Sequence, residues 1–244
     1  MLRFFSIFII LSFLSSSTVL SQSCIIYKKE KDGIFIGADT RMVSYESNET
    51  TRQIEPVYSS ICKMGSVNNI CFAITGFGAD IAMSEAKNIF LNTKLFSDAI
   101  KKYVESVGQK IADILETERR QRIAFFKRTF PRGSNVGGSV FLYYENGALM
   151  GHVINISVIS HPTEKATVTT RNEIIDSIGI AGSSIGIKNV VFNKDVWKKG
   201  AVKGINNLLS IEKIANPTEV GGVADILFVS TKNEIEWVQR KKCQ

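Results

Sequence analysis

The sequence predicts an α+β protein with helices layered on antiparallel sheets. Three observations carry this. Strand-like runs come in groups and do not alternate with helices. The hydrophobic period lengthens to that of a helix over one long central stretch and again near the C-terminus. No internal repeat or Pro/Ser-rich linker divides the chain. With 244 residues, 44% of them hydrophobic and 22% charged, the chain can bury a full core without disulfide staples. Collagen-like, disordered and low-complexity classes are excluded. Two sheets sandwiched between two helical layers, a four-layer αββα sandwich, would bury both sheet cores.

The first residues stand apart from this pattern. Met1-Leu2-Arg3 is basic, Phe4 to Leu14 is apolar, and Ser15 to Ser23 is small and polar. That is the three-part pattern of a cleavable secretory signal, and the apolar run is short for a bilayer span. The expectation is a signal peptide over 1–23, one domain over 24–244, and a secreted or periplasmic product without a transmembrane anchor. Two cuts satisfy the small-x-small rule, after Ser21 and after Ser23. The second exposes Cys24 as the first residue.

Cys24–Lys29 and Ile34–Asp39 are β-rich runs joined by a Lys-Asp-Gly turn signal. Ser44 to Gln53 is polar and reads as an exposed loop. Ser60–Met64 and Ile70–Thr75 read as a second hairpin. Ala79–Leu91 is helical, and Phe96, Ile100, Tyr103, Val107, Ile111 and Ile114 carry the spacing of a long amphipathic helix reaching about Lys127. Strands return at Gly138–Tyr144, Met150–Val158 and Ala166–Thr170. A third helix is expected after Ser184 and a fourth over Val196–Ala215. Ile226–Ser230 and Ile235–Gln239 close the chain as a hairpin.

Several chemistries lack support. Two His and four widely spaced Cys make no zinc framework, and neither a P-loop nor a GxGxxG motif is present. No metal or organic cofactor is implied. The formal charge of +7 gathers partly at Arg119, Arg120, Arg122, Lys127, Arg128 and Arg132, with Phe125 and Phe126 between them. This reads foremost as a solvated helix end or a subunit interface, and otherwise as a patch for an anionic surface. Export argues against nucleic acid as a partner. Cys62 and Cys71 stand at similar distances from the Ser66–Asn69 turn, so they either pair across the hairpin or stay reduced in the core.

Three segments resemble proteasome β-subunits of the N-terminal-nucleophile (Ntn) hydrolase family. Asp32-Gly33-Ile34-Phe35-Ile36-Gly37-Ala38-Asp39-Thr40-Arg41 is similar to their "DGVVLGADSR" segment. Ala73-Ile74-Thr75-Gly76-Phe77-Gly78-Ala79-Asp80 resembles their turn into the first helix. Gly179-Ile180-Ala181-Gly182-Ser183-Ser184 resembles their step into the third helix. The resemblance covers nearly all of the chain after the signal. It implies the αββα fold of this threonine-peptidase-like family, hydrolysis of a peptide or small amide substrate, and a capacity to form homo-oligomers.

The resemblance also implies a site. In such enzymes the first residue's side chain is the nucleophile and its own α-amine the base, an amine that titrates near working pH. Cys24 fits by the signal cut, by its place at the start of the first strand and by its intrinsically nucleophilic thiol. Its other reading is a small buried core residue. Family spacing puts the nucleophile sixteen residues before the motif Asp, which lands on Ser23, whereas Cys24 lies fifteen before Asp39. A one-residue slip turns a strand side chain to the opposite face. Lys63 is the expected lysine partner of Asp39, Gly76 the oxyanion donor, and Ser183 a hydrogen-bond partner of the terminal amine. The family's Asp and Ser before a Gly-Gly pair near the last hairpin are missing here: the segment reads Asn216-Pro217-Thr218-Glu219-Val220-Gly221-Gly222, with Asn216 or Glu219 as substitutes. These departures leave a second reading, a catalytically inactive binding or structural module on the same fold.

Overall fold

The computed structural model describes residues 18–19, 23–47, 54–182 and 184–239; most of the expected signal peptide, Ser183 and the last five residues lie outside them. In chain order the elements begin with β1 (Thr18–Val19), β2 (Cys24–Lys29), β3 (Gly33–Ala38), β4 (Arg41–Ser47), β5 (Ile54–Ser60), β6 (Met64–Val67) and β7 (Ile70–Gly76). Three helices follow, α1 (Ala79–Asn92), α2 (Phe96–Gln121) and α3 (Ile123–Thr129). Then come β8 (Asn135–Glu145), β9 (Ala148–Val158), β10 (Val168–Ile174) and β11 (Ile178–Gly182). The chain ends with α4 (Lys194–Trp197), α5 (Ala201–Ala215), β12 (Asp225–Ser230) and β13 (Ile235–Gln239).

Two five-stranded antiparallel sheets form the centre, in the orders β10-β9-β8-β7-β6 and β11-β2-β3-β12-β13. Period-two alternation sorts their side chains into layers. On β7, Phe72 and Ile74 join Phe90, Tyr103, Ile111 and Phe126 in a core between the first sheet and α1–α3. Ala73, between them, faces the other way, into a core with Ile25, Ile36, Val140 and Leu227 that joins the two sheets. A third core holds Cys24 and Ile26 of β2 against Trp197, Ile205 and Leu208 of α4 and α5. The protein is therefore a four-layer αββα sandwich. Each fully buried Ile, Leu or Phe in these layers contributes about 1.5–3 kcal/mol, so the layering dominates the fold energy.

Turn chemistry sets the register. Asn68 and Asn69 both take positive φ (47° and 62°) and close the β6–β7 hairpin, and Asn146-Gly147 does the same for β8–β9, as type I′ turns require. The first strand of this hairpin thus begins at Met64 and not at Ser60, while the second begins at Ile70 as expected, and Lys63 sits just ahead of β6 instead of within a strand. Its carbonyl still accepts from Ile74 N at 2.8 Å.

Other expectations are corrected. Residues 44–47, expected in a loop, belong to β4, which pairs with β5 in a hairpin whose only further neighbour among the described residues is β1. The long helix ends at Gln121, where Arg122 leaves helical geometry (φ −139°, ψ 56°), and α3 starts afresh. After Ser184 there is a run of turns closed by bonds such as Ile187 N to Ser184 O (3.2 Å), not a regular helix. The expected fourth helix divides at Gly200, whose φ of 92° no helix accommodates. Cys71 is a free, buried thiol while Cys62 is disulfide-bonded elsewhere, so these two cysteines do not bridge their hairpin. Among the described residues no helix is long and apolar enough to cross a membrane.

Arg119, Arg120 and Arg122 are largely committed to their own helix. Arg119 and Arg120 pair with Glu116 at 2.8 and 2.6 Å, and Arg122 pairs with Glu118. Glu116 also accepts from Ala166 N at 2.9 Å, tying α2 to the irregular segment that leads into β10. The patch is in part a fold-stabilising network.

Candidate active site

Four segments converge where the two sheets meet: the residue before β2, the end of β3, the residue before β6 and the end of β7. Ser23 lies at their centre, fully buried. Ile25 faces the core between the sheets, and strand alternation puts Ser23 on that same side. Lys63 Nζ donates a hydrogen bond to Ser23 Oγ, which in turn donates to the carbonyl of Arg41 at 3.3 Å. Ser23 N donates to Thr75 Oγ1 at 3.0 Å.

Lys63 and Asp39 form a buried ion pair at 3.0 Å, each 3% exposed. The carboxylate is held by main chain: Oδ1 accepts from Cys24 N at 3.0 Å, and Oδ2 from Arg41 N and Gly221 N, both at 3.1 Å. A buried charge is tolerated only with such pairing. Burial lowers the pKa of Lys63 from its ordinary value, and Asp39 opposes the shift. The ammonium is thus a localised positive charge aimed at a hydroxyl, in a buried site.

Cys24, the favoured nucleophile on sequence grounds, is not in this constellation. Its side chain lies in the third core, with Ile26, Trp197 and Ile205. Burial, followed by the negative charges of Asp39 and Glu212, pushes its thiol well above the ordinary range, so it stays protonated at neutral pH and is a poor nucleophile. Ser23 takes the place beside Lys63, and the correction has the period of the strand as its cause: adjacent residues face opposite ways. Asp39 and Lys63 come together as expected.

Gly76 directly follows Thr75 at the end of β7. Its φ is +108°, and a Cβ there would fall 2.3 Å from Gly137 Cα, so only glycine fits. Gly182 is equally constrained: a Cβ would lie 2.1 Å from the carbonyl oxygen of Ser23 and 2.7 Å from Thr75 Cγ2. β11 thereby packs backbone against backbone on Ser23. Ser183 lies outside the described residues. Asn216 and Glu219 bond each other at 2.5 Å and brace a turn in which Val220 N bonds Asn216 O at 3.0 Å. That turn delivers Gly221 N to Asp39.

Sequence reasoning missed Thr75, the Arg41 carbonyl and Gly221 as site groups. Thr75 sits inside the glycine motif, next to Gly76, and its β-branched hydroxyl side chain was the available signal. The other two act through backbone atoms and leave no side-chain mark.

No protein family and no curated protein matches the chain. Among solved structures, the chain is similar to the Gly-1 mutant of Anbu from Hyphomicrobium sp. strain MC1. The identity is 11%, the match covers 87% of this chain and 84% of that one, and the TM-score is 0.45.

Proposed function

We propose that this chain is an exported hydrolase of amide or peptide bonds, of the N-terminal-nucleophile type, with Ser23 as its nucleophile. The observation that carries the reading is the bond from Lys63 Nζ to Ser23 Oγ, with Lys63 itself paired to Asp39. Removal of the residues before Ser23 frees an α-amine that titrates at about 7.7–8.0. As the neutral base it takes the proton of Oγ while Oγ attacks the substrate carbonyl. Lys63 stabilises the charge developing on Oγ, and the backbone N–H at Gly76 serves the oxyanion. Collapse of the tetrahedral intermediate breaks the C–N bond, and the α-ammonium returns its proton to the leaving amine. Water then attacks the Ser23 ester by the same base and releases the acid. Signal cleavage after Ser21 would leave Gln22, so maturation includes loss of that one residue.

The test combines intact mass of the exported protein with labelling by an amine- and serine-reactive β-lactone. The expected product begins at Ser23 and carries the acyl group there. A mature chain that keeps Gln22 and takes no label at Ser23 would overturn the reading in favour of a non-catalytic module. A chain beginning at Cys24 has lost Ser23 and would equally overturn it.

A further inference from the structure

We infer that Thr75 is a positioning residue for the base of this site: its hydroxyl fixes the α-amine of Ser23 so that the nitrogen lone pair faces Oγ. The inference rests on the serine-nucleophile reading above. A neutral terminal amine has two N–H bonds and one lone pair. It can take a proton from its own side chain only when the N–H bonds point elsewhere, and a freely rotating amine would spend most of its time misdirected. In the uncleaved chain the peptide N–H of Ser23 donates to Thr75 Oγ1 at 3.0 Å; the amine freed by cleavage inherits that acceptor, and with both residues buried there is little water to compete for the bond.

The hydroxyl is itself well fixed. Threonine is stiff at χ1. Thr75 stands in the β7–β8 ladder opposite Gly138, and its methyl lies against Gly182, where an added Cβ would come within 2.7 Å. A hydroxyl also suits the task better than a carboxylate. An adjacent carboxylate favours the charged ammonium and raises its pKa, leaving less free base at neutral pH. A hydroxyl orients the amine with a much smaller effect on its charge.

The test uses Thr75→Val, which keeps the shape and removes the acceptor, and Thr75→Ser, which restores it. Both are prepared with Ser23 as the first residue, verified by intact mass, and their rate of Ser23 acylation by a β-lactone is followed across the neutral pH range. Thr75→Val is expected to react about a hundredfold more slowly, the order of loss for a misplaced reacting group, with its pH inflection moved to lower pH because the ammonium loses an acceptor. Thr75→Ser is expected to recover most of the rate and the original inflection. A purely structural role would not move the inflection. If Thr75→Val does not fold, Thr75→Cys, similar in size and a poor acceptor, replaces it. A folded variant without the acceptor that reacts like the parent, with the same inflection, overturns the inference while leaving the serine nucleophile intact. A parent protein that is never acylated at Ser23 overturns the catalytic reading first, and this inference with it.

Discussion

Ser23 and Cys24 are consecutive, yet they serve different layers of the molecule: the serine hydroxyl meets Lys63 in the closed site between the sheets, and the cysteine thiol lies under α5. Exchanging their roles would require the strand to slip by one residue and invert every side chain along it. Ser23→Ala is therefore expected to abolish β-lactone acylation. Cys24→Ser should keep it, while destabilising the fold by about 1–3 kcal/mol for the buried hydroxyl. Acylation assays beside denaturant melts separate the two effects, and a Cys24→Ser protein that folds but does not react would contradict the assignment.

Thiol reactivity should follow burial. Burial raises the pKa of Cys24 well above its usual value, and pushes that of Cys71 up to about 11, so neither forms much thiolate at neutral pH. Iodoacetamide should leave both unmodified in the native protein. After unfolding without reductant both should react, whereas Cys62 should not, because it is disulfide-bonded. Peptide mass mapping reads all three, and rapid native modification of Cys24 would sink the prediction.

Lys63→Met should remove both chemistry and stability. It leaves the Asp39 carboxylate buried without its counter-charge, a change that typically costs about 3–5 kcal/mol. The double variant Lys63→Met/Asp39→Asn should be less destabilised than the single variant yet equally inactive. Urea melts and acylation rates test this, and a destabilisation below about 1 kcal/mol for Lys63→Met would mean the pair is not buried as described.

Glu212 of α5 is fully buried and accepts from Ile185 N at 3.1 Å and Gly186 N at 2.8 Å. It clamps the turn that follows Gly182, the glycine packed on Ser23. Glu212→Leu orphans two backbone donors and is expected to cost about 1–3 kcal/mol for each. Hydrogen exchange of residues 184–188 should accelerate in this variant, and unchanged protection there would refute the clamp.

Acid should loosen α2 from β10 through Glu116. Hydrogen bonds from Arg119, then Ala166 N and Arg120, hold its carboxyl below the ordinary carboxylate range. A depressed folded pKa means that the stabilisation is fully present above the unfolded carboxylate pKa and is lost as pH falls through the folded one. Glu116→Gln should thus melt at a lower temperature than the parent at neutral pH, with the gap narrowing on acidification. A gap independent of pH would remove the carboxylate from the account.

Much of the architecture is legible because the layers impose strict periods. Phe72, Ala73 and Ile74 alternate between two cores, and α2 carries its apolar stripe from Phe96 to Leu115. Asp39 and Lys63 were legible through motif and spacing. What escaped had no side-chain periodicity to betray it. Among the described residues the β4–β5 hairpin pairs only within its own small sheet, and Glu55 to Ser60 of β5 are all exposed, Val57 and Tyr58 included, so no buried face imposes an alternating pattern there. The break at Arg122 lies in a stretch whose composition is that of a good helix. The choice between Ser23 and Cys24 turned on a one-residue register, which spacing indicated and the lure of a thiol obscured.

Asp39 is fixed by the peptide N–H groups of Cys24, Arg41 and Gly221. Every residue except proline supplies that group. The contact itself therefore asks for no particular side chain at these positions; what limits them is packing, with Cys24 buried under α5 and a Cβ at Gly221 falling 2.3 Å from the Arg41 guanidinium carbon. Within that limit a centre built this way can drift in letters while keeping its shape, so an altered motif such as Asn216–Gly222 is compatible with an intact charge pair.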